Sequence, residues 1–357
     1  MPIARFSTCL AGASIVALCA APASSAEWIY KVDVWDPPFK MDSPTTETQY
    51  VPLDKASKSY KICASFPHMK DAYWLAADYG MIDEARRQGV QLQIVEAGGY
   101  TELNRQISQI EDCVASGAQA VIIGAISYDG LNNLIVDLKK QNIPVIDAIN
   151  GVSSPEIAAK SIVSWEAVGG TIGKYLAEKH PAGTPTVKVG WFPGPAGAGF
   201  VEDSTRGFRA AVEGSAIEVL ETRYGDTGKE VQSKLIEDVL QANPDIAYIA
   251  GSAVSAEAAV PILRSRDLTD QVKIVAYYYT PGVDRAIRRG QILAAPTDST
   301  VMQGRMAIDQ AVRILEGKDY FKHVAPSIFV ISHDNVGEVD MTAVLAPDDF
   351  KPTFTVD

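Results

Sequence analysis

Trp and Tyr recur where a repeating strand-and-helix pattern would end its strands. Asp71-Ala72-Tyr73-Trp74 follows the first such strand, Tyr128-Asp129 follows the third, and Ser164-Trp165-Glu166 opens the second half. Tyr277-Tyr278-Tyr279 ends a later strand, and Thr297-Asp298-Ser299 precedes the last long helix. Aromatic faces attract cations, quaternary ammonium groups above all, at roughly 0.5–2 kcal/mol per face once water is excluded. Asp71 adds a negative charge on the same side. The chemistry that fits is capture of a compact methylated ammonium compound by Asp71, Tyr73, Trp74, Trp165 and Tyr278, with Tyr128 and Asp298 as further candidates. Any one of these aromatics alone reads equally well as packing at a helix start. Sugars also stack on rings, but their hydroxyls call for Asp, Asn and Arg at strand ends, and this set is short of Arg.

The elements that must position these residues are legible from apolar periodicity. Ile62–Phe66, Leu92–Val95, Ala120–Ile123 and Ile143–Ile146 are short apolar runs of the kind a sheet covered on both faces requires. Helical spacing fills the gaps over 74–88, 103–116 and 131–141, with Gly89 and Gly117 as stops. The unit then repeats from Ser161 onward: Ser161–Val163 reads as the opening strand of the second half, and Val187–Trp191, Ile246–Ala250 and Lys273–Tyr277 as later ones. This order implies two α/β lobes with parallel sheets and right-handed crossovers. In such sheets ligands bind beyond the carboxyl ends of the strands, which is where the aromatics fall. Residues 27–57 carry turn signals such as Asp36-Pro37-Pro38 and no continuous period, so they read as an irregular extension whose Trp28, Tyr30 and Trp35 pack or form a lid.

The 357 residues suit two domains, and a formal net charge of -12 argues against a nucleic-acid or anionic-membrane partner. Arg5, the apolar stretch from Cys9 to Ala21 and small residues up to Ala26 read as a signal peptide over residues 1–26, which places the mature chain in the periplasm. Leu18 before Cys19 argues against a lipoprotein. Of the four cysteines, Cys63 and Cys113 remain after cleavage, an even pair in an oxidising compartment and a candidate disulfide. No metal or cofactor is expected, because the two Cys and four His lack ligand spacing. His68, His180, His323 and His333 also form no Ser-His-Asp pattern, so an enzyme is not expected; His68 reads as surface or packing. The glycines over 194–199 lack the Gly-Lys-Ser/Thr ending of a phosphate cradle and read as a turn near the cleft.

The run Cys63-Ala64-Ser65-Phe66-Pro67-His68-Met69-Lys70-Asp71-Ala72-Tyr73-Trp74 resembles the first lobe of the TorT family of periplasmic sensors of trimethylamine N-oxide (TMAO). Glu96-Ala97-Gly98-Gly99-Tyr100, the Cys113 setting, Pro193-Gly194-Pro195 and 251–259 are similar too. The resemblance implies a type I periplasmic binding protein fold, two doubly wound parallel-sheet lobes joined by a three-segment hinge. It implies TMAO or a similar methylated amine between Asp71, Tyr73 and Trp74 on one lobe and Trp165 and one of Tyr277–Tyr279, taken as Tyr278, on the other. It also implies docking on the periplasmic sensor domain of a TorS-type histidine kinase. The expected division is 27–57 as extension, 58–148 with 296–326 as the first lobe, and 149–295 with 327–357 as the second. The crossings are expected near Ala148–Gly151, Ala295–Asp298 and Val324–Ser327. The sugar-binding members of the superfamily carry an Arg where this chain has Ile149-Asn150. The rival reading is the solute receptor of an ABC transporter for a sugar or a betaine-like osmolyte, which uses the same lobes.

Overall fold

The computed structural model describes Met1 and residues 28–357; apart from Met1, the expected signal peptide lies outside the described residues. The chain opens with a hairpin, β1 (Tyr30–Trp35) and β2 (Thr45–Tyr50). Then follow β3 (Lys61–Phe66), α1 (Ala72–Gln88), β4 (Gln91–Glu96), α2 (Leu103–Ala115), β5 (Ala120–Ile123), α3 (Asn132–Lys140), β6 (Val145–Ala148) and β7 (Ala159–Ser161). The middle of the chain is α4 (Trp165–Lys179), β8 (Val187–Phe192), α5 (Gly199–Val212), β9 (Ile217–Thr222), α6 (Lys229–Ala242), β10 (Tyr248–Gly251), α7 (Ala253–Ser265), β11 (Lys273–Ala276), α8 (Pro281–Arg288) and β12 (Ala294–Thr297). It closes with α9 (Thr300–Leu315), β13 (His323–Pro326), β14 (Phe329–Ser332) and β15 (Thr355–Val356).

Two sheets result, one per lobe. The first is nine-stranded in the order β15-β4-β3-β5-β6-β7-β13-β1-β2, and the second six-stranded in the order β14-β12-β11-β10-β8-β9. Their central pairs are parallel; antiparallel pairs lie at both ends of the first sheet and at the β14 end of the second, whose other edge pair, β8–β9, is parallel. The apolar strands are buried on both faces, all four residues of β5 included. Helices α1 and α9 approach so closely that a Cβ on Gly80 would sit 2.2 Å from the Val301 carbonyl oxygen. Helices α4 and α5 meet the same way: a Cβ on Gly207 would lie 1.9 Å from the Glu166 carbonyl oxygen. These contacts account for glycines in helix interiors, where they otherwise cost stability.

The fold is the α/β arrangement expected, with four differences in detail. Within the expected extension, Tyr30–Trp35 and Thr45–Tyr50 are not irregular: they pair residue for residue and extend the first sheet beyond β13, while residues 51–57 carry no regular structure, as expected. The hairpin is an edge, so its outer strand is polar and exposed and carries little apolar signal. Trp28, Tyr30 and Trp35 are packing residues. Trp35 stacks on His323 with ring centroids 4.1 Å apart, and Trp28 stacks on Tyr50 at 5.4 Å.

Second, Ala159–Ser161 joins the first sheet instead of opening the second. Its register puts Lys160 opposite Asp147, and the two form a buried ion pair, Nζ to Oδ2 3.1 Å. The first crossing therefore falls after Ser161, later than the Ala148–Gly151 expected. The other two come at Asp298–Ser299 and Ser327–Ile328, at or just beyond the edges of the spans expected.

Third, the C-terminal segment does not stay with the second lobe. After β14 the chain returns to the first: Tyr79 packs on Phe350, Thr353 N donates to Asp78, and β15 pairs with β4. Fourth, β9, unread in the sequence, forms an outer edge of the second sheet; its alternating exposure gives a short and weak apolar signal.

Cys63 on β3 and Cys113 on α2 form a disulfide with Cα atoms 6.1 Å apart. No helix among the described residues is long and apolar enough to cross a membrane.

Candidate functional site

Asp71 is the N-cap of α1. Its Oδ1 accepts the backbone N–H groups of Tyr73 and Trp74 at 3.1 and 3.2 Å, which starts the helix and throws both aromatic side chains toward the gap between the lobes. On the opposite side Ser164 caps α4 through the Ala167 N–H and delivers Trp165 from its first turn. The Trp165 indole N–H donates to the Ile149 carbonyl, which holds the ring plane.

A small cavity of about 20 Å³ lies in the gap. Its lining from the first lobe is Asp71, Tyr73, Trp74, Tyr100 and Asn150; from the second it is Trp165, Phe200, Thr227 and Tyr278. The rings meet largely edge to face. Tyr73 and Tyr278 have centroids 4.9 Å apart at 65°, and Trp165 and Tyr278 lie 6.5 Å apart at 82°. Phe200 bridges Trp165 at 5.8 Å and Tyr100 at 5.7 Å. Such pairings expose π-faces to the enclosed space.

The three consecutive tyrosines take three different directions. The Tyr277 hydroxyl donates to the Pro193 carbonyl and its ring packs on Trp191 at 5.5 Å. The Tyr279 hydroxyl donates to Asp284 Oδ1 at 3.0 Å, away from the cavity. Tyr278 alone of the three lines the cavity, and among the described residues its hydroxyl has no hydrogen-bond partner. The residue is 4% exposed, and its hydroxyl is free for whatever occupies the space.

Two of the residues singled out from the sequence lie outside the lining. Tyr128 is 38% exposed and packs on the glycine run at the rim, where its backbone N–H faces the Gly197 carbonyl at 3.5 Å and a Cβ on Gly199 would strike its ring at 2.7 Å. Asp298 is fully buried behind Tyr73, whose hydroxyl donates to it. Asp71, Tyr73, Trp74, Trp165 and Tyr278 do come together. Tyr100, Asn150, Phe200 and Thr227 were not foreseen. Tyr100 ends the Glu-Ala-Gly-Gly-Tyr motif and Asn150 sits where sugar binders carry Arg, so both had a signal. Phe200 and Thr227 had none.

The electrostatics favour a cation or a polarised small molecule. Loss of surrounding water pushes the Asp71 carboxyl up to about 6, and the nearby carboxylates Glu257 and Asp226 add to the rise. Asp71 is thus poised to ionise when a positive charge enters. Asn150 Nδ2 donates to the Tyr100 hydroxyl at 2.9 Å and to the Ala125 carbonyl at 2.7 Å, fixing that wall.

Of the two readings of His68, surface or packing, the structure has packing. The residue is fully buried, its Nε2 is 3.0 Å from Thr227 Oγ1 on the other lobe, and its ring packs edge-on to Tyr100 at 5.5 Å. Lys70 and Asp226 face each other beside it, Nζ to Oδ2 3.7 Å. These contacts hold the lobes closed over the cavity.

Comparison with known proteins agrees with this architecture. Residues 62–319 match the family model described as periplasmic binding protein domain. The periplasmic protein TorT of Escherichia coli O157:H7 is 36% identical over 302 residues, 84% of this chain and 86% of that protein. The crystal structure of an ABC transporter solute binding protein from Bradyrhizobium sp. BTAi1 with bound bis-tris is 62% identical, with a TM-score of 0.79, covering 91% of this chain and 98% of that one. The complex of the TorS sensor domain with TorT in the presence of TMAO contains a chain 36% identical, with a TM-score of 0.76, covering 83% of this chain and all of that one.

Proposed function

This chain belongs to the periplasmic binding protein domain family, and we propose that it holds TMAO or a similar small methylated amine between its lobes and reports it through a TorS-type histidine kinase. It is a binding protein of the ribose-binding and TorT type, as its relatives are. The observation that carries the ligand reading is the closed cavity lined by Tyr73, Trp74, Tyr100, Trp165, Phe200 and Tyr278, with Asp71 beside them. Methyl groups carrying partial positive charge rest on ring faces, and each ring contributes roughly 0.5–2 kcal/mol once water is gone. The oxide would accept from the unpartnered Tyr278 hydroxyl. The 62% identical relative was solved with bound bis-tris, a tertiary amine that also carries five hydroxyls. The kinase partner is supported by the likeness to TorT, of which a complex with the TorS sensor domain has been solved.

Titration calorimetry of the mature protein against TMAO, glycine betaine, choline and ribose tests the ligand. Heat with TMAO at low ligand concentration is expected. Heat with ribose and none with TMAO would discard the amine reading.

A second reading, the solute receptor of an ABC transporter, is favoured by the description of that same 62% identical relative. Size-exclusion chromatography with the periplasmic domain of a TorS-type kinase separates the two. Co-elution supports the sensor, and independent elution with and without ligand supports the transporter.

A further inference from the structure

Asp298 stands where the chain leaves β12 of the second lobe and enters α9 of the first. It is fully buried, yet its carboxylate does not line the cavity. Every side-chain donor it accepts from lies on a first-lobe element: the Tyr73 hydroxyl at the start of α1, and Gln303 Nε2 at 2.8 Å and Thr300 Oγ1 at 3.3 Å on α9. Gln303 Nε2 also donates to the Asp298 carbonyl at 2.9 Å. The next residue, Ser299, has a left-handed backbone with φ 49°, and its hydroxyl meets Tyr30 at 3.1 Å. The crossing is therefore clamped on the first-lobe side. Beyond the clamp, the ring of Tyr73 presses on Tyr278 at 4.9 Å and Trp165 at 6.5 Å, both from the second lobe.

We propose that Asp298 is a positioning residue: it ties the Tyr73 ring to the hinge, so that lobe angle and cage geometry change together. The carboxylate touches no ligand. It fixes where the tyrosine stands, and the tyrosine in turn is the surface on which the second lobe closes. The clamp stays with the first lobe, so on hinge opening Tyr278 and Trp165 draw away from a fixed Tyr73 ring, and the emptied cage loses its wall as the lobes part.

A double-mutant cycle tests this, with two readouts. Tyr73→Phe keeps the ring and removes only the hydroxyl. Asp298→Ala removes the acceptor, and Asp298→Asn keeps one acceptor oxygen. In ligand-free protein, small-angle scattering is expected to give a larger radius of gyration for Tyr73→Phe and Asp298→Ala alike, with no further increase in the double variant and partial recovery in Asp298→Asn. TMAO affinity is expected to fall about tenfold in either single variant and no further in the double, as for one shared buried hydrogen bond. This second readout rests on the ligand reading above, and the first does not. If wild type gives no heat with TMAO, the ligand reading fails while scattering still decides the coupling. Radii equal to wild type, or losses that add in the double variant, overturn it. Should Asp298→Ala fail to fold, Tyr73→Phe against Asp298→Asn carries the same comparison.

Discussion

His68 Nε2 lies 3.0 Å from Thr227 Oγ1 across the mouth of the cleft, one residue from each lobe. The Lys70 N–H faces His68 Nδ1 at 3.3 Å, so the neutral ring accepts there and donates from Nε2. Thr227→Val removes the acceptor and leaves a buried donor unpaired. Ligand affinity should fall roughly three- to tenfold, with the melting temperature nearly unchanged, because the bond exists only in the closed form. Burial lowers the His68 pKa from 6.5 to about 4. This is a depressed value, so the stabilisation of closure is complete above about pH 6.5 and is lost as pH falls toward about 4. Scattering at about pH 5 should show a more open wild-type protein than at about pH 7.5. A His68→Gln variant should remove that difference.

Asp71 gives a second pH dependence with a separate signature. Its carboxyl is raised to about 6, so it is largely protonated below that and charged above. Binding of a fixed cation such as choline should strengthen as pH rises from about 5 to about 7.5 and release a proton as it does so. Asp71→Asn should flatten the profile. Calorimetry in two buffers of different ionisation enthalpy measures the proton count directly, and a profile unchanged by the substitution would assign it to another group.

Trp74 and Trp165 supply faces from opposite lobes. Trp74→Ala and Trp165→Ala should each weaken amine binding by about tenfold or more, since a desolvated face is worth up to about 2 kcal/mol. Both rings are buried, so each variant also loses packing. Circular dichroism at the assay temperature checks that the protein remains folded. Unchanged affinity in both would place the ligand elsewhere.

The Cys63–Cys113 disulfide closes a loop with a sequence separation of 50. Constraint of the unfolded chain by such a loop is worth about 4 kcal/mol. Replacing both cysteines with Ala should lower the melting temperature by several degrees without changing ligand affinity, because the bond lies between β3 and α2, away from the cavity lining. Differential scanning calorimetry with and without reductant, on wild type and the double variant, checks it.

The two-lobed α/β order was legible because it rests on local signals. Runs such as Ala120–Ile123 are apolar on both faces and bounded by helical periods, and ligands in this architecture gather beyond strand ends. Asp71, Tyr73, Trp74 and Trp165 could therefore be placed by position alone. What the sequence could not decide are matters of long-range contact. Three adjacent tyrosines are equivalent in one dimension. In three, Pro193 takes the Tyr277 hydroxyl, Asp284 takes Tyr279's, and only Tyr278 meets the cavity. Whether Ala159–Ser161 joins the first sheet or the second depends on Asp147, which stands opposite Lys160 only once the strands pair. Phe200 and Thr227 reach the cavity from the second lobe, across from residues distant in the chain. The chain thus determines its elements and the chemistry of its strand ends through neighbours in sequence. The tertiary structure decides which ring faces the cavity and which carboxylate stands behind it, because those assignments depend on burial and hydrogen bonds between residues far apart along the chain.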